Sequence, residues 1–410
     1  MKTTSSKVAF IVSQFPCYDE AFILRELDAL SQKMDIAIFS LKPSKDTILH
    51  DEARALLPKT VYVPYFFSGR ILGAHIQIFL RHPIRYLRAF FRLVIGNLKS
   101  PEFLVKSLAF FPKAIYLARW IKKKKVTHLH AYWATYPASV AFVASEIAKV
   151  PFSFTGHAHD IYLDKTHLKE KMMHAAFVTT CTQQNKQHLM KVAPRYPENR
   201  ILVNYHGLDP AKFEVNGKLR NGTFEILSVG TLHYYKGFQY LIPALNILKE
   251  KRLNFKCTIV GGGPLETDLR KHIRLFGLEP FVAMTGPLKQ DEVLPYYKKS
   301  DLLVLMAQPE WHWGIPNVLI EALAAKTAVI TTRFGSVEEL VKEGETGLLV
   351  PPKDPQMLAQ TIEQLYTNDP LRMKLANAGH QFVLGHFDLR KNIETFSERF
   401  LNHEGTAVVA

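Results

Sequence analysis

The sequence predicts an α/β protein built from two consecutive domains, each a doubly wound, Rossmann-like parallel sheet. Its 410 residues are too many for one ordinary hydrophobic core. Short apolar runs of strand length alternate with longer helical patterns almost throughout, which is typical of βαβ units. A polar stretch at 212–223, "KFEVNGKLRNGT", interrupts the alternation once. We therefore predict two domains joined near that stretch.

The first domain is predicted to cover residues 1–212. Its opening "VAFIVS" (8–13) is typical of a buried strand, "EAFILRELDALSQK" (20–33) has apolar residues near a period of 3.6, and "DIAIFSL" (35–41) predicts the next strand. Four further strands are predicted at "THLHAYW", "PFSFTG", "AFVTTC" and "RILVNYHG". A basic, largely helical insertion is predicted at about 70–125.

The second domain is predicted to cover residues 213–385. Its strands are "FEILSVG", "FKCTIVGGG", "FVAMTG", "DLLVLMA", "AVITT" and "GLLV". The last segment, 386–410, is predicted to be a helix that crosses back to the first domain. Ligands of such sheets bind outside the carboxyl ends of the strands, and a cleft between two such domains is the expected site.

Composition indicates a folded protein of a reducing compartment. Apolar residues make up 47% and charged residues 22% of the chain. Cys17, Cys181 and Cys257 are too few for a disulfide framework and too scattered for a metal site. The apolar run near the N-terminus is too short for a signal peptide, and no stretch reaches the length of a spanning helix. We expect a cytoplasmic location without a transmembrane segment.

The net charge of +15 is concentrated in the insertion. Between Arg70 and Lys125 there are thirteen Lys or Arg residues and one acid. Four arginines fall on one helical face, four lysines end the segment, and aromatic and aliphatic residues lie between them: Arg81, Arg85, Arg88, Arg92 and Lys122 to Lys125. This pattern favours docking on an anionic membrane surface over nucleic-acid binding. The alternative is a surface helix packed on its own domain.

Two loops of the second domain have residues suited to phosphate. "SVGTLHYYKG" follows a strand with Gly230 and has Lys236 six residues later. "VGGGP" gives a second glycine turn around Gly262. Glycine lets backbone N–H groups face a ligand, and lysine adds a compact positive charge. No GxGxxG follows the first strand, so a dinucleotide fingerprint is not supported.

A third loop, at 314–321, combines an anion site with a carboxylate. Pro316 suits a first helical turn, so the free N–H groups of Asn317 and Val318 would form an anion site suited to a diphosphate. Glu321 lies one turn further, where it could accept bonds from a ribose diol. The alternative is a glutamate that only complements the helix dipole. Its apolar neighbours argue against simple exposure.

Histidines follow the strands of the first domain. His157, His159 and Asp160 come after one strand, and His128 and His130 share a face of another. Zinc is one interpretation. Hydrogen bonding to sugars and phosphate is favoured, because no cysteine joins the histidines and no HExxH helix is present.

These segments together resemble glycosyltransferase family 4, whose members are retaining enzymes of the GT-B architecture. The motifs that carry the resemblance are "VAFIVSQFPCYDEAFILRELDAL", "HLHAYWATYPA", "FSFTGHAHDIY", "VGTLHYYKGFQYLIPAL", "IVGGGPLETDLR", "GIPNVLIEALAAKTAVITT" and "GETGLLVPPKDPQMLAQTI". More narrowly, the chain is similar to bacterial transferases of exopolysaccharide and lipopolysaccharide assembly, including the colanic-acid type. The resemblance implies two Rossmann-like domains facing a central cleft.

The resemblance also implies roles for individual residues. His157, Lys236 and Glu321 would be catalytic, with Lys236 at the donor diphosphate, Glu321 at the ribose and His157 near the transferred sugar. The donor site would comprise Gly230, Thr231, Lys236, Gly262, Trp313, Gly314, Ile315, Pro316, Asn317, Val318 and Glu321. The acceptor side would comprise Gln14, Phe15, Glu20, His130, His157 and Asp160.

The implied reaction needs no metal and no cofactor, since the nucleotide-diphosphate sugar is a substrate. The acceptor would be lipid-linked or an oligosaccharide, and the protein would lie peripherally on the inner face of the cytoplasmic membrane. We expect no nucleic-acid partner.

Three residues depart from the family pattern. Trp313 stands where the first of two signature glutamates is expected, Thr231 where many members have arginine, and His206 where asparagine is common. Trp313 could stack on an apolar sugar face, or Glu310 could reach in from a remodelled loop. The alternatives are a catalytically silent nucleotide- or glycan-binding subunit and a GT-B sugar epimerase.

Overall fold

Two parallel sheets organise the chain. The structure, a computed structural model, describes residues 7–17, 20–44, 51–64, 68–163, 165–213, 222–311 and 314–402. The first unit comprises residues 1–206 and 389–410, and the second comprises 207–388. These divisions lie after residues 206 and 388, where the sequence predicted them after 212 and 385.

The sheet of the first unit has seven parallel strands in the order β3-β2-β1-β4-β5-β6-β7. β4 and β5 are buried on both faces, as expected for parallel strands covered by helices on both sides. The strands are β1 (Lys7–Phe15), β2 (Asp35–Pro43), β3 (Thr60–Tyr62), β4 (His128–Tyr132), β5 (Phe152–Gly156), β6 (Val178–Thr180) and β7 (Ile201–Val203).

Ten helices accompany this sheet in the described residues of the first unit. They are α1 (Ala21–Lys33), α2 (Asp51–Leu56), α3 (Gly69–Arg81), α4 (Pro83–Asn97), α5 (Pro101–Lys124), α6 (Tyr136–Ala148), α7 (His159–Tyr162), α8 (Leu168–His174), α9 (Gln183–Val192) and, from the end of the chain, α16 (Leu389–Asn402). In α16, Phe396 and Phe400 pack against Phe10 and His130. The C-terminal helix is thus part of the first unit's core.

The sheet of the second unit has six parallel strands in the order β10-β9-β8-β11-β12-β13. They are β8 (Phe224–Val229), β9 (Phe255–Val260), β10 (Val282–Gly286), β11 (Leu302–Leu305), β12 (Ala328–Thr332) and β13 (Leu348–Val350). Its helices are α10 (Phe238–Glu250), α11 (Glu266–Leu275), α12 (Gln290–Lys299), α13 (Asn317–Ala324), α14 (Pro355–Thr367) and α15 (Asp369–His386).

Both sheets are doubly wound. The strand order reverses direction between β1 and β4 in the first unit and between β8 and β11 in the second. The predicted fold class, two doubly wound parallel-sheet domains with a helical insertion in the first, is confirmed. Such reversals leave a crevice at the carboxyl ends of the strands.

The insertion is helical, but its arginines differ in their contacts. Arg88 bonds Glu146 on α6, and an Arg92 nitrogen lies 3.0 Å from the other oxygen of that carboxylate. Glu146 is buried, so it needs these counter-charges. The prediction that the four arginines share one helical face is wrong, because Arg81 ends α3 while Arg85, Arg88 and Arg92 lie on α4. Arg81 and Arg85 lie with Lys122 around His82, whose pKa falls through desolvation and then through their positive charges.

Large apolar side chains are exposed on the outer side of the insertion. More than half of the exposed large hydrophobic residues in the described chain lie here. We call them the apolar face: Leu72, Ile76, Phe79, Leu80, Ile84, Leu87, Phe91, Ile95, Leu98, Val105 and Leu108. In the described residues, none of the helices has the length and apolar character needed to cross a membrane.

Candidate functional site

The loops after β8, β9 and β11 meet at one edge of the second sheet. The Leu232 N–H donates to the Gly262 carbonyl at 3.0 Å, which joins the first two loops. The Gln308 N–H donates to the Tyr235 carbonyl at 2.8 Å, which joins the first and the third. This edge contains the strand-order reversal, so the predicted phosphate loops come together where ligands of such sheets bind.

Two glycines permit this close approach. Gly237 has a φ of +78°, and a Cβ there would lie 1.8 Å from the Met306 carbonyl oxygen. Gly261 has a φ of +142°, and a Cβ there would lie 1.9 Å from the Gly230 carbonyl oxygen. Any larger residue would push the loops apart, since both contacts are to backbone.

Lys236 supplies the cation of this edge. Its side chain lies beside Gly230, with Cδ 3.9 Å from the position of a Cβ on that glycine. Its ammonium lies 5.6 Å from the centre of the Tyr235 ring. Within the described chain it has no carboxylate partner, and burial lowers the pKa of Lys236 to about 8. The side chain is thus a partly desolvated cation available to an anionic ligand.

The start of α13 supplies backbone donors. The helix begins at Asn317 with Pro316 as its N-cap, one position later than the sequence predicted, and no side chain caps it. The Leu319 N–H donates to the Pro316 carbonyl at 3.1 Å, which leaves the N–H groups of Asn317 and Val318 as the donors of an anion site. The predicted residues Gly314, Ile315, Pro316, Asn317 and Val318 are all half-buried, and Thr231 on the neighbouring loop is exposed.

Glu321 is held one turn into α13. Its side chain is buried, with the residue only 9% exposed. Gln290 Nε2 donates to Oε1 and the Tyr297 hydroxyl donates to Oε2, each at 2.9 Å. These two bonds fix the orientation of the carboxylate. Gln290 and Tyr297 are site residues that the sequence analysis missed.

The residues around the first signature position are only partly described. Trp313 lies outside the described residues. Glu310 is exposed and its carboxylate lies 3.3 Å from the Lys353 ammonium. A backbone hydrogen bond and the Lys353 contact lower the pKa of Glu310. In this arrangement Glu310 is committed to an exposed ion pair.

His157 forms an aromatic cluster at the carboxyl edge of the first sheet. Its ring lies 4.4 Å from Trp133, 5.1 Å from Phe22 and 5.2 Å from His206 between centroids. Burial, followed by the charges of His206 and His130, lowers the pKa of His157 well below its usual value. Neither ring nitrogen has a hydrogen-bond partner among the described residues. A neutral imidazole here offers one donor and one acceptor to a ligand hydroxyl.

A buried carboxylate supports this cluster. Glu26 on α1 accepts from the Tyr132 hydroxyl at 2.9 Å, and its other oxygen lies 3.2 Å from His206 Nδ1. The sequence analysis missed Glu26 and Tyr132. Arg25 and Asp28 lie close to Glu26 in the sequence, so it did not stand out as Glu321 did among apolar neighbours.

Three predicted acceptor-side residues have structural roles instead. His130 is 0% exposed, and its nitrogens lie 2.8 Å from Ser153 Oγ and Thr155 Oγ1, so its predicted ligand contact is wrong. Phe15 is buried in the core beneath α1. Asp160 is buried.

The Asp160 carboxylate accepts the N–H groups of Ala134, His157 and Ala158 at 2.7–3.0 Å. Desolvation raises the pKa of Asp160, and these backbone bonds oppose the rise. Asp160 therefore fixes the loops that carry Trp133 and His157 and has little capacity left for a ligand.

The other two predicted acceptor-side residues are Glu20 and Gln14. Glu20 accepts a hydrogen bond from Trp133 Nε1 at 2.9 Å, and Gln14 is half-buried.

Residues 211–382 match the family model described as Glycosyl transferases group 1. The matched region covers most of the second unit. It contains every described residue of the predicted donor site. Among the described residues no cluster of three or more His, Cys, Asp and Glu side chains could hold a metal ion.

Similar proteins extend the likeness beyond this domain. The chain is 34% identical over 185 residues to the amylovoran biosynthesis glycosyltransferase AmsK of Erwinia amylovora, spanning 44% of this chain and 45% of that protein. It is 30% identical over 196 residues to the lipopolysaccharide core biosynthesis glycosyltransferase LpsE of Rhizobium meliloti, spanning 46% and 54%. An uncharacterized glycosyltransferase of Methanocaldococcus jannaschii is 26% identical over 280 residues, 63% of this chain and 70% of that protein. The chain thus spans about half the length of the two relatives named for polysaccharides.

Solved structures share the whole fold. A glycosyltransferase from Rickettsia africae aligns over 97% of this chain and 98% of its own with a TM-score of 0.71 at 18% identity. HepE of Anabaena, in complex with UDP and glucose, aligns over 97% and 100% with a TM-score of 0.68 at 17% identity. At such identities the likeness shows the fold, which is that of the GT-B glycosyltransferases.

Proposed function

We propose that the protein is a retaining glycosyltransferase that moves a sugar from a nucleotide-diphosphate donor to a glycan acceptor in cell-surface polysaccharide biosynthesis. The observation that carries this proposal is the edge of the second sheet. There the Lys236 cation and the joined glycine loops lie next to β11. The loop after β11 leads into α13, where the Tyr297 hydroxyl helps to hold the Glu321 carboxylate in its orientation. The names of AmsK and LpsE support the polysaccharide context, and the UDP bound to HepE supports a nucleotide donor.

Each group would bind one part of the donor. The diphosphate would contact the Lys236 ammonium and the first-turn N–H groups of α13, with Gly230, Thr231 and Gly262 forming the adjoining backbone. Glu321 would accept bonds from the two ribose hydroxyls, because Gln290 and Tyr297 already fix its orientation. Trp313 and Gly314 to Val318 complete the proposed donor set.

Transfer breaks the bond between the anomeric carbon and the diphosphate oxygen. The acceptor oxygen forms the new bond on the same face of the sugar, and its proton passes to the departing diphosphate. Lys236 and the start of α13 would stabilise the negative charge that develops on that leaving group. The reaction needs no metal ion and no cofactor in this proposal.

The acceptor would bind to the first unit, near His157. This neutral imidazole would hydrogen-bond a hydroxyl of the transferred sugar or of the acceptor. Gln14, near the end of β1, and Glu20, at the start of α1, lie at the same strand edge. We further propose a lipid-linked acceptor and peripheral binding to the cytoplasmic face of the membrane. The support is the apolar face, flanked by Arg81, Arg85 and Lys122 to Lys125, since apolar and cationic groups together suit an anionic bilayer.

Donor binding is expected to weaken above pH 8. A bound diphosphate favours protonated Lys236 and raises its pKa, so the bond is fully present below the free value of about 8 and is lost as pH rises through it. Between about pH 7 and 8 affinity for a nucleoside diphosphate should be flat, because the phosphate is already ionised above about pH 6. Above pH 8 the dissociation constant should rise about tenfold per unit. Calorimetry across this pH range would measure the dissociation constant. In Lys236→Arg the dissociation constant should no longer rise above pH 8.

The proposed activity is tested by following a panel of nucleotide sugars by NMR with the purified protein. We expect slow release of nucleoside diphosphate from one donor, with the freed sugar first appearing in the donor's anomeric configuration. Binding without release would favour the catalytically silent subunit, and an epimerised donor would favour an epimerase. Inverted configuration would contradict retention.

A further inference from the structure

The first unit contains a cavity outside the site described above. It has a volume of about 980 Å³ and lies between the end of α4 and the described residues from the end of α7 through α8. Its lining includes Ile95, Lys99, Leu163, Lys165, Lys169 and Met173. The volume is in the range of small-molecule sites.

The lining combines cations with exposed apolar groups. Lys99, Lys165 and Lys169 bring three positive charges. Glu170 is the one acid among the described lining residues, and its carboxylate lies 3.1 Å from His167 Nε2. Leu163 is 65% exposed, Ile95 is 64% exposed and Met173 is also exposed. Exposed apolar groups are unfavourable in water. Beside lysines that have no carboxylate partner among the described residues, they suit an anionic amphiphile.

One wall of the cavity is closely packed. A Cβ on Gly96 would lie 2.1 Å from His167 Cδ2, so α4 and the α8 segment touch at this glycine. The His167 side chain is buried, and its Nδ1 has no hydrogen-bond partner among the described residues. The wall is therefore formed by packed groups and not by mobile surface side chains.

The cavity is continuous with two other features of the first unit. Ile95 belongs to both the cavity and the apolar face, and Leu98 of that face directly precedes Lys99. On the other side, Tyr162 lines the cavity at the end of α7, the short helix that follows His157 and Asp160. A chain bound here would run from the apolar face toward the segment that carries the proposed acceptor residues.

We propose that this cavity binds the phosphate and the first part of the apolar chain of a single-chain anionic amphiphile. The lysines contact the phosphate, and Ile95, Leu163 and Met173 contact the chain. The proposal of a binding site depends only on the cavity and its lining. Its assignment to a lipid-linked acceptor rests on the proposed function, while the headgroup of a bilayer lipid would present the same chemistry.

The test is calorimetric binding of octyl phosphate below its micelle concentration, without donor present. We expect binding at least about tenfold tighter than that of inorganic phosphate or of octyl glucoside, since the first lacks the chain and the second lacks the charge. Lys165→Glu with Lys169→Glu should weaken binding about tenfold or more. The matched control, Lys271→Glu with Lys374→Glu, makes the same charge change at exposed lysines of the second unit and should leave binding unchanged.

Two results would overturn the proposal. Equal binding of octyl glucoside would mean an apolar groove without phosphate recognition, and equal weakening by both lysine pairs would mean general attraction to net charge. A short two-chain phosphatidic acid separates the sources: preference for octyl phosphate supports a single-chain, acceptor-type lipid, and equal affinity would contradict the single-chain assignment in favour of a bilayer headgroup. Because no donor is present, these results are independent of whether sugar transfer occurs.

Discussion

Replacing Lys236 by methionine is expected to lower the rate of sugar transfer by about 10²–10³-fold. The substitution keeps most of the length of the side chain and removes the charge opposite the departing diphosphate. Losing one electrostatic contact to a developing anion costs about 3–4 kcal/mol in a site of this kind. The measurement is kcat/KM for the donor that the panel identifies.

Two controls separate this effect from damage to the fold. Lys271→Met removes an exposed lysine of the same unit and should leave kcat/KM within about twofold, as most surface substitutions do. The unfolding temperature of Lys236→Met should equal or slightly exceed that of the wild type, since burial already disfavours the charge of the lysine. A loss below about threefold, in a folded protein, would contradict the role given to Lys236.

Introducing Glu at Leu80 and Ile84 is expected to weaken binding to anionic vesicles by about 100-fold or more. Both side chains lie on the apolar face, and Ile84 is 79% exposed, so the substitutions should not disturb the core. Each removes about 1.5–3 kcal/mol of apolar transfer and adds a negative charge against the lipid. Sedimentation with vesicles that contain phosphatidylglycerol measures the change.

The control for this prediction uses an exposed apolar pair in the second unit. Leu275→Glu with Met373→Glu makes an equal change in charge and hydrophobicity away from the apolar face. It should leave vesicle binding nearly intact. If the Leu80 and Ile84 variant still binds vesicles while Arg81→Gln with Arg85→Gln does not, binding is electrostatic and the apolar face does not insert.

Local sequence patterns predicted the architecture and the second-unit loops because each depends on nearby residues. Apolar runs bounded by glycine turns indicated the strands, and parallel strands bring their carboxyl ends to one edge. For that reason the sequence could predict that the loops with Gly230 to Lys236, Gly262 and the start of α13 lie at one edge. Glu321 stood out as one acid among apolar neighbours.

Contacts between distant segments could not be predicted in the same way. The period of two placed His128 and His130 on one face, but α16, more than 250 residues later, covers that face. Helical periodicity grouped Arg88 with Arg92 without revealing Glu146 on α6. Gln290 and Tyr297 orient Glu321 from another helix, and no short motif indicates that contact.

The most direct test of the donor site is calorimetric binding of nucleoside diphosphates and their sugars to the wild type, Glu321→Ala and Glu310→Ala. We predict that one nucleotide binds, that Glu321→Ala weakens it about tenfold or more through the lost ribose bonds, and that Glu310→Ala leaves it unchanged, because Glu310 pairs with Lys353 at the surface. Failure of every nucleotide to bind the folded wild type, or equal effects of the two glutamate variants, would contradict a nucleotide-sugar site in the second unit.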